Sequence, residues 1–267
     1  MMEVLALLVA IAPLAVAEEA DPLASGLWDR ARAELFGNAP VVFDERVVLL
    51  APAVAEDNLN VPVVADARAL GEVEVMVLFA DANPILRIAT LELSRAEPFI
   101  GLSLKMEQGG PVRAAARTPD GVWHVGGVNV AAAGGGCTAP ASVHAAADWA
   151  QHLGELWGRA WLEPDGAQRV RLRAYHPMDT GLAFGHPAFF IDQLDVTDDA
   201  GALLARLRPG EPVSQHPVIT LRLRPEAGTR SVRVRGRDSD SNLLEGSLPL
   251  AWRTGAPDGD RRTGSKE

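Results

Sequence analysis

The chain has 267 residues, 48% of them hydrophobic, and a mean hydropathy of +0.05. That is enough apolar content for one large or two ordinary domains, and it excludes both a disordered chain and a polytopic membrane protein. The net charge is −10, the isoelectric point is about 5.1 and no basic cluster occurs, so a nucleic-acid binder is excluded as well. The charge is uneven: residues 18–164 hold 10 basic and 20 acidic side chains, and residues 165–267 hold 15 and 14.

In chain order, Val4 to Ala17 is an unbroken apolar run, too short for a bilayer span of about 20 residues. Ala15-Val16-Ala17 before Glu18 gives the small-x-small pattern of a secretory signal. Residues 1–17 are therefore read as a signal peptide and the mature protein as periplasmic. The leading segment is atypical, carrying Glu3 and no Lys or Arg. Asp21 to Gly37 has Leu27, Trp28, Ala31 and Leu35 at helical spacing, with Gly37 as a stop, and predicts a short N-terminal helix.

Short strand-like runs follow, separated by Pro, Gly and Asp/Asn. They are Val41–Phe43, Arg46–Leu50, Val61–Ala65, Val73–Phe79, Ile85–Leu93, Gly101–Lys105, Val112–Arg117 and Val122–Val130. Turn signals about every ten residues favour a β-sandwich. Ala139 to Trp161 is Ala-rich, with Val143, Ala146, Trp149, Leu153, Leu156 and Trp157 along one helical face, and predicts a spacer helix within 138–164. A second strand-rich region, 165–252, opens with RVRLRAY, where Arg alternates with apolar residues. Ala188–Val196, Ala202–Leu207, Val218–Arg224, Arg230–Arg237 and Leu243–Leu248 complete it, and 253–267 reads as a flexible tail.

Cys137 is the sole cysteine and follows Gly134-Gly135-Gly136. In an oxidising compartment it has no internal partner, which implies an intermolecular bond or a reactive thiol. Glycine loses the most entropy on ordering, and the six residues from Ala131 to Gly136 reach about 20 Å when extended. A mobile arm suits a thiol that carries something into other proteins; a buried, inert cysteine at a Gly-rich turn is the alternative. A third reading is a cysteine hydrolase with His144 or His124 as base and Asp148 as orienting group. The six histidines form no metal-ligand pattern, although copper on His176 and Met178 is conceivable. Asp238, Asp240 and Asn242 imitate a calcium loop, but Leu243 stands where glycine is needed and Pro249 where glutamate is, so RDSDSNL reads as a hairpin turn. No metal and no cofactor is expected, since neither a dinucleotide fingerprint nor a Walker motif occurs.

Three stretches, VVLLAPAVAEDNLNVPVVAD (47–66), Asn83-Pro84 and TPDGVWHVGGVNVAAAGGGC (118–137), resemble SoxY, the sulfur-carrier subunit of periplasmic thiosulfate oxidation. VRLRAYHPMDTGLAFGHPAFFIDQLDV (170–196), PVSQHPVITLRLRP (212–225) and GRDSDSNLLEGS (236–247) resemble SoxZ, its partner. The order is that of fused SoxYZ-like carriers associated with quinoprotein dehydrogenases. The resemblance implies an all-β protein of two immunoglobulin-like β-sandwich domains, 18–137 and 165–252, joined by the α-helical spacer. It implies a carrier and not an enzyme, with Cys137 as the covalent attachment point for a sulfur intermediate and Gly134, Gly135 and Gly136 as its flexible arm. Partners would be periplasmic oxidoreductases: a quinoprotein dehydrogenase, a c-type cytochrome or Sox-type enzymes. A non-covalent docking module for such enzymes is the alternative function. An exposed Cys137 would also permit a disulfide-linked dimer. In SoxY the arm is a free C-terminus, whereas here Thr138-Ala139-Pro140 continues the chain, so the thiol sits on a loop tethered at both ends.

Overall fold

The computed structural model describes residues 20–250; the signal peptide expected at 1–17 and the tail expected at 253–267 lie outside the described residues. The elements run α1 (Trp28–Phe36), β1 (Val41–Phe43), β2 (Val48–Leu50), β3 (Val61–Asp66), β4 (Val75–Ala80), β5 (Arg87–Leu93), β6 (Ala96–Leu104), β7 (Gly110–Arg117) and β8 (Trp123–Val130). After the cysteine segment come α2 (Trp149–His152), β9 (Leu156–Leu162), β10 (Gln168–Ala174), β11 (Asp179–Thr180), β12 (Ala188–Phe189), β13 (Ile191–Asp198), β14 (Leu203–Pro209), β15 (Val218–Leu223), β16 (Ser231–Asp238) and β17 (Leu243–Pro249). The structure is thus mostly strand, and among the described residues no helix is long and apolar enough to cross a membrane.

Two sheets carry almost all of it. One has the order β1-β8-β7-β4-β5-β14-β13-β16-β17, the other β2-β3-β6-β15-β10-β9. The first takes five strands from before Cys137 and four from after it, the second three and three. The halves meet edge to edge, with Leu91 paired to Leu207 where β5 meets β14 and Gly101 paired to Thr220 where β6 meets β15. Two sandwich halves therefore share continuous sheets. Joining edges in this way covers four strands that would otherwise be exposed edges, β5, β14, β6 and β15, the sites at which a sheet would recruit another chain. The core between the sheets is one cluster across both halves, including Leu78 and Leu91 from the first and Leu207 and Leu221 from the second.

The strand patterns explain the register. In β10, Gln168, Val170, Leu172 and Ala174 are buried while Arg169, Arg171 and Arg173 face out, the period-2 alternation of a sheet with one wet face. Strand β7 is buried on both faces because α1 covers its outer side. Trp28, Ala31 and Phe36 of that helix pack with Phe79, Ala115 and Trp123. The N-terminal segment is also tied down by charge: buried Arg113 pairs with buried Asp81 at 3.0 Å and with Asp21 at 2.8 Å.

The spacer helix is not formed. The region holds a 3-10 turn at Ser142–Ala145, the single turn of α2, and then β9, an edge strand paired antiparallel to β10. The reason lies in an ambiguity of spacing. Trp157 and Trp161 are four apart, which is one helical turn but also two steps along one face of a strand. Glycine decides between them. Gly158 sits where an added Cβ would meet the Arg171 carbonyl at 2.2 Å, so β9 lies directly against its neighbour. On the outer face Trp157 stands opposite Arg173 and Trp161 opposite Arg169, with guanidinium-to-ring distances of 5.5 and 5.1 Å. These cation–π contacts cover the exposed aromatic rings.

Candidate functional site: a sheathed cysteine

Cys137 follows β8 and lies at the seam between the two halves. Its arm is docked. Gly135 N–H donates to the Glu107 carbonyl at 3.1 Å and Gly136 N–H to the Met106 carbonyl at 3.0 Å. Asn58 Nδ2 donates to the Gly134 carbonyl at 2.9 Å, while the Asn58 carbonyl accepts from Met106 N–H at 2.8 Å. The glycines serve close approach as well as freedom. Gly134 has φ +102°, and a Cβ on Gly136 would fall 2.2 Å from the Asn58 carbonyl oxygen. Only glycine lets this backbone lie so near two others.

The shelf beneath the arm is the turn after β6, Lys105-Met106-Glu107. Glu107 Oε2 accepts from the backbone N–H groups of Cys137 and Thr138 at 3.0 and 3.1 Å. Asn83 braces the shelf, donating to the Lys105 carbonyl at 2.8 Å and accepting from Glu107 N–H at 2.9 Å. The roof comes from the second half, in the turn HPMDTG. Thr180 Oγ1 donates to the Cys137 carbonyl, and Lys105 Nζ donates to the Met178 carbonyl. His176 Nδ1 accepts from Met178 N–H at 3.1 Å, and its Nε2 faces Asp238 at 3.4 Å, which fixes the turn. Burial pushes the His176 imidazole down to about 4 despite the Asp238 carboxylate, so it is a neutral structural group near pH 7.

The thiol itself is fully buried. Its Sγ donates weakly to the Lys105 carbonyl at 3.7 Å. Burial pushes the Cys137 thiol up to about 12, with the Glu107 carboxylate adding to the rise and the Lys105 ammonium opposing it. Burial in turn lowers Lys105, against the pull of Asp179 and Cys137. The docked thiol is therefore protonated and unreactive. The docked sulfur thus has the burial of the alternative reading, a cysteine at a Gly-rich turn, and does not project: the glycines supply a fit to the seam, and solvent does not reach the sulfur.

The hydrolase constellation is not assembled. His144 is engaged with Asp179, Nε2 to Oδ2 at 2.7 Å, and not with Asp148, while His124 is engaged with Asp44 at 2.8 Å. Of the other sequence candidates, His176 and Met178 come together as a backbone-capping pair. Asp238 anchors the β16–β17 turn by accepting from Asp240 N–H at 3.0 Å and Asn242 N–H at 2.8 Å. Lys105, Glu107, Asn58 and Thr180 were not singled out by sequence reasoning. They lie 79 to 30 residues before the cysteine or 43 after it, and no local spacing links them; the arm's need for partners on every side was the one usable signal.

Residues 32–137 match the family described as "Sulfur oxidation protein SoxY". No curated protein matches the chain. Among solved structures, the sulfur carrier protein SoxY from Chlorobium limicola f thiosulfatophilum is similar at 22% identity and a TM-score of 0.36, over 40% of this chain and 96% of that one. A β-glycosidase from Bacteroides vulgatus is similar at 11% identity and a TM-score of 0.23, over 80% of this chain and 25% of that one. The similarity to SoxY thus covers residues 32–137 in the N-terminal half of the chain, with Cys137 as the last matched residue.

Proposed function

We propose that the protein is a periplasmic sulfur carrier whose cargo is bound covalently at Cys137, with Gly134, Gly135 and Gly136 as the hinge that frees it. The observation that carries this reading is that the SoxY match ends on the chain's sole cysteine, behind the glycine triplet. On this reading the protein is a carrier and not an enzyme, and the support is the SoxY match over residues 32–137.

The docked arm is the resting state. Release exchanges the hydrogen bonds to Met106, Glu107 and Asn58 for water, and the freed sulfur returns to the ordinary thiol range near ~8.5. The thiolate then attacks an electrophilic sulfur atom in the cargo. A Cys–S–S bond forms as the bond from that sulfur to its leaving group breaks, and the leaving group departs with the electron pair. Because the arm is closed at both ends, the thiol is presented from a loop to partner oxidoreductases, a quinoprotein dehydrogenase or Sox-type enzymes.

The SoxZ-like assignment of residues 165–252 belongs to the same proposal. Its support is that HPMDTG roofs the cysteine, which gives the second half a role in holding and releasing the arm. Cys137→Ser in the native host tests the function. The carrier reading expects loss of pathway flux with folding and partner binding intact. Unchanged flux would overturn it and favour the non-covalent docking module.

A further inference from the structure

Beyond the thiol, a second cluster of chemistry lies beside the arm. His144, Asp179 and His186 bring one ligand atom each to within 4.8 Å of one another. We propose that these three residues form a binding site for one divalent transition ion of the imidazole-preferring class, and that the bound ion staples the cysteine arm to the second half.

Two of the ligands come from one hairpin of the second half and the third from the segment that follows the cysteine. Asp179 opens β11, which pairs with β12 through Asp179–Phe189 and Thr180–Ala188, and His186 lies two residues before β12. The small hairpin thus holds a carboxylate and an imidazole together. His144 comes from the 3-10 turn seven residues after Cys137. Its ring lies 5.1 Å from that of His186, centroid to centroid, and meets Trp149 edge-on at 4.9 Å. Asp179 Oδ1 accepts from Ala141 N–H at 3.2 Å, which leaves Oδ2 aimed at His144 Nε2. A carboxylate oriented by a second hydrogen bond is the usual support of a metal shell.

Asp179 is buried, while both imidazoles are partly open to solvent, so an ion has an entry path. In a tetrahedral shell, metal–ligand bonds of about 2.0–2.2 Å set ligand atoms about 3.3 Å apart. His144 Nε2 and Asp179 Oδ2, now 2.7 Å apart, need only part by about half an ångström, and His186 closes in by a rotamer change. The proton they share leaves to solvent, and water completes the shell. Two imidazoles and one carboxylate suit Zn²⁺, Cu²⁺ or Ni²⁺ better than Ca²⁺ or Mg²⁺. With one ligand on the arm and two on the body, occupation opposes arm release.

The stapling rests on the arm opening proposed above; ion binding does not. The test uses the full chain, untagged and stripped with chelator, titrated with Zn²⁺ by calorimetry. One site per chain is expected, retained in Cys137→Ser and weakened at least tenfold in His186→Ala. Absence of a saturable site, loss of binding in Cys137→Ser, or unchanged affinity in His186→Ala would overturn the site. Saturating Zn²⁺ should slow labelling of Cys137 by an aromatic disulfide several-fold in the native chain and leave the rate in His186→Ala unchanged. No slowing, or equal slowing in both, would overturn the staple.

Discussion

Replacing Gly136 by Ala isolates the sheath. The added Cβ would lie 2.2 Å from the Asn58 carbonyl oxygen, 2.7 Å from that of Met106 and 2.9 Å from Met106 N. All three are backbone atoms and do not swing aside, so the cost falls in the overpacking range of about 1–3 kcal/mol. The clash exists only in the docked arm, so it shifts the docking equilibrium by about 5- to 150-fold. Complete release sets a ceiling. At pH 7.5 a thiol near ~8.5 is about one-tenth ionised. A thiol at about 12 is ionised roughly three parts in 100,000, so full exposure would raise thiolate content about 3,000-fold. Labelling kinetics with an aromatic disulfide at pH 7.5 measure this directly, with circular dichroism confirming that both sheets persist. The expected result is slow labelling of the native chain and a 5- to 150-fold increase in Gly136→Ala. A native rate equal to that of a free cysteine peptide, or no change on substitution, would refute the docked arm.

Further expectations follow from the same contacts. Glu107→Gln removes the charge on the acceptor shared by Cys137 N–H and Thr138 N–H, and a charge-assisted bond is stronger than a neutral one by about 1 kcal/mol; Cys137 labelling should accelerate roughly 5- to 10-fold, and an unchanged rate would count against Glu107 as the latch. The docked thiol binds its proton more tightly than the free one, so docking is fully favoured below about 8.5 and weakens as pH rises from there toward 12. Labelling rate should therefore climb about tenfold per pH unit from 7 through 10, whereas a free thiol levels near ~8.5; a plateau near 8.5 in the native chain would contradict the sheath. Arg113→Met leaves the buried Asp81 carboxylate without its cation, and breaking such a pair costs about 3–5 kcal/mol; thermal melting should fall by several degrees or more, and an unchanged Tm would show that the pair is not coupled to folding.

Much of the fold was legible because strands with one wet face announce themselves. RVRLRAY alternates arginine with apolar residues, and β10 buries the apolar set. Val41–Phe43 and Val112–Arg117 fall on β1 and the body of β7. The helix expected over residues 21–37 forms over Trp28–Phe36: its end at Gly37 was legible, while its start lies seven residues later than Asp21. The spacer was misread because apolar spacing of four fits both periods, and the close approach at Gly158 depends on Arg171 in a different strand. The candidate site was half legible. The Gly-Gly-Gly-Cys run marks the thiol, whereas HPMDTG stood out only as part of a SoxZ-like stretch and nothing local linked it to the cysteine. The burial of that thiol is a long-range property: it depends on Lys105 to Glu107, Asn58 and Thr180 closing around a glycine segment that locally encodes only freedom. A glycine run among small neighbours signals mobility or tight docking equally, and tertiary contacts decide which.

The central claim is that Cys137 carries sulfur. Intact-mass spectrometry of the protein purified from its native host, followed by peptide mapping, tests it most directly. A discrete sulfur-containing adduct on the peptide holding Cys137, removed by thiol reductant, is the predicted result. A uniformly unmodified thiol across growth conditions that demand the pathway would contradict it.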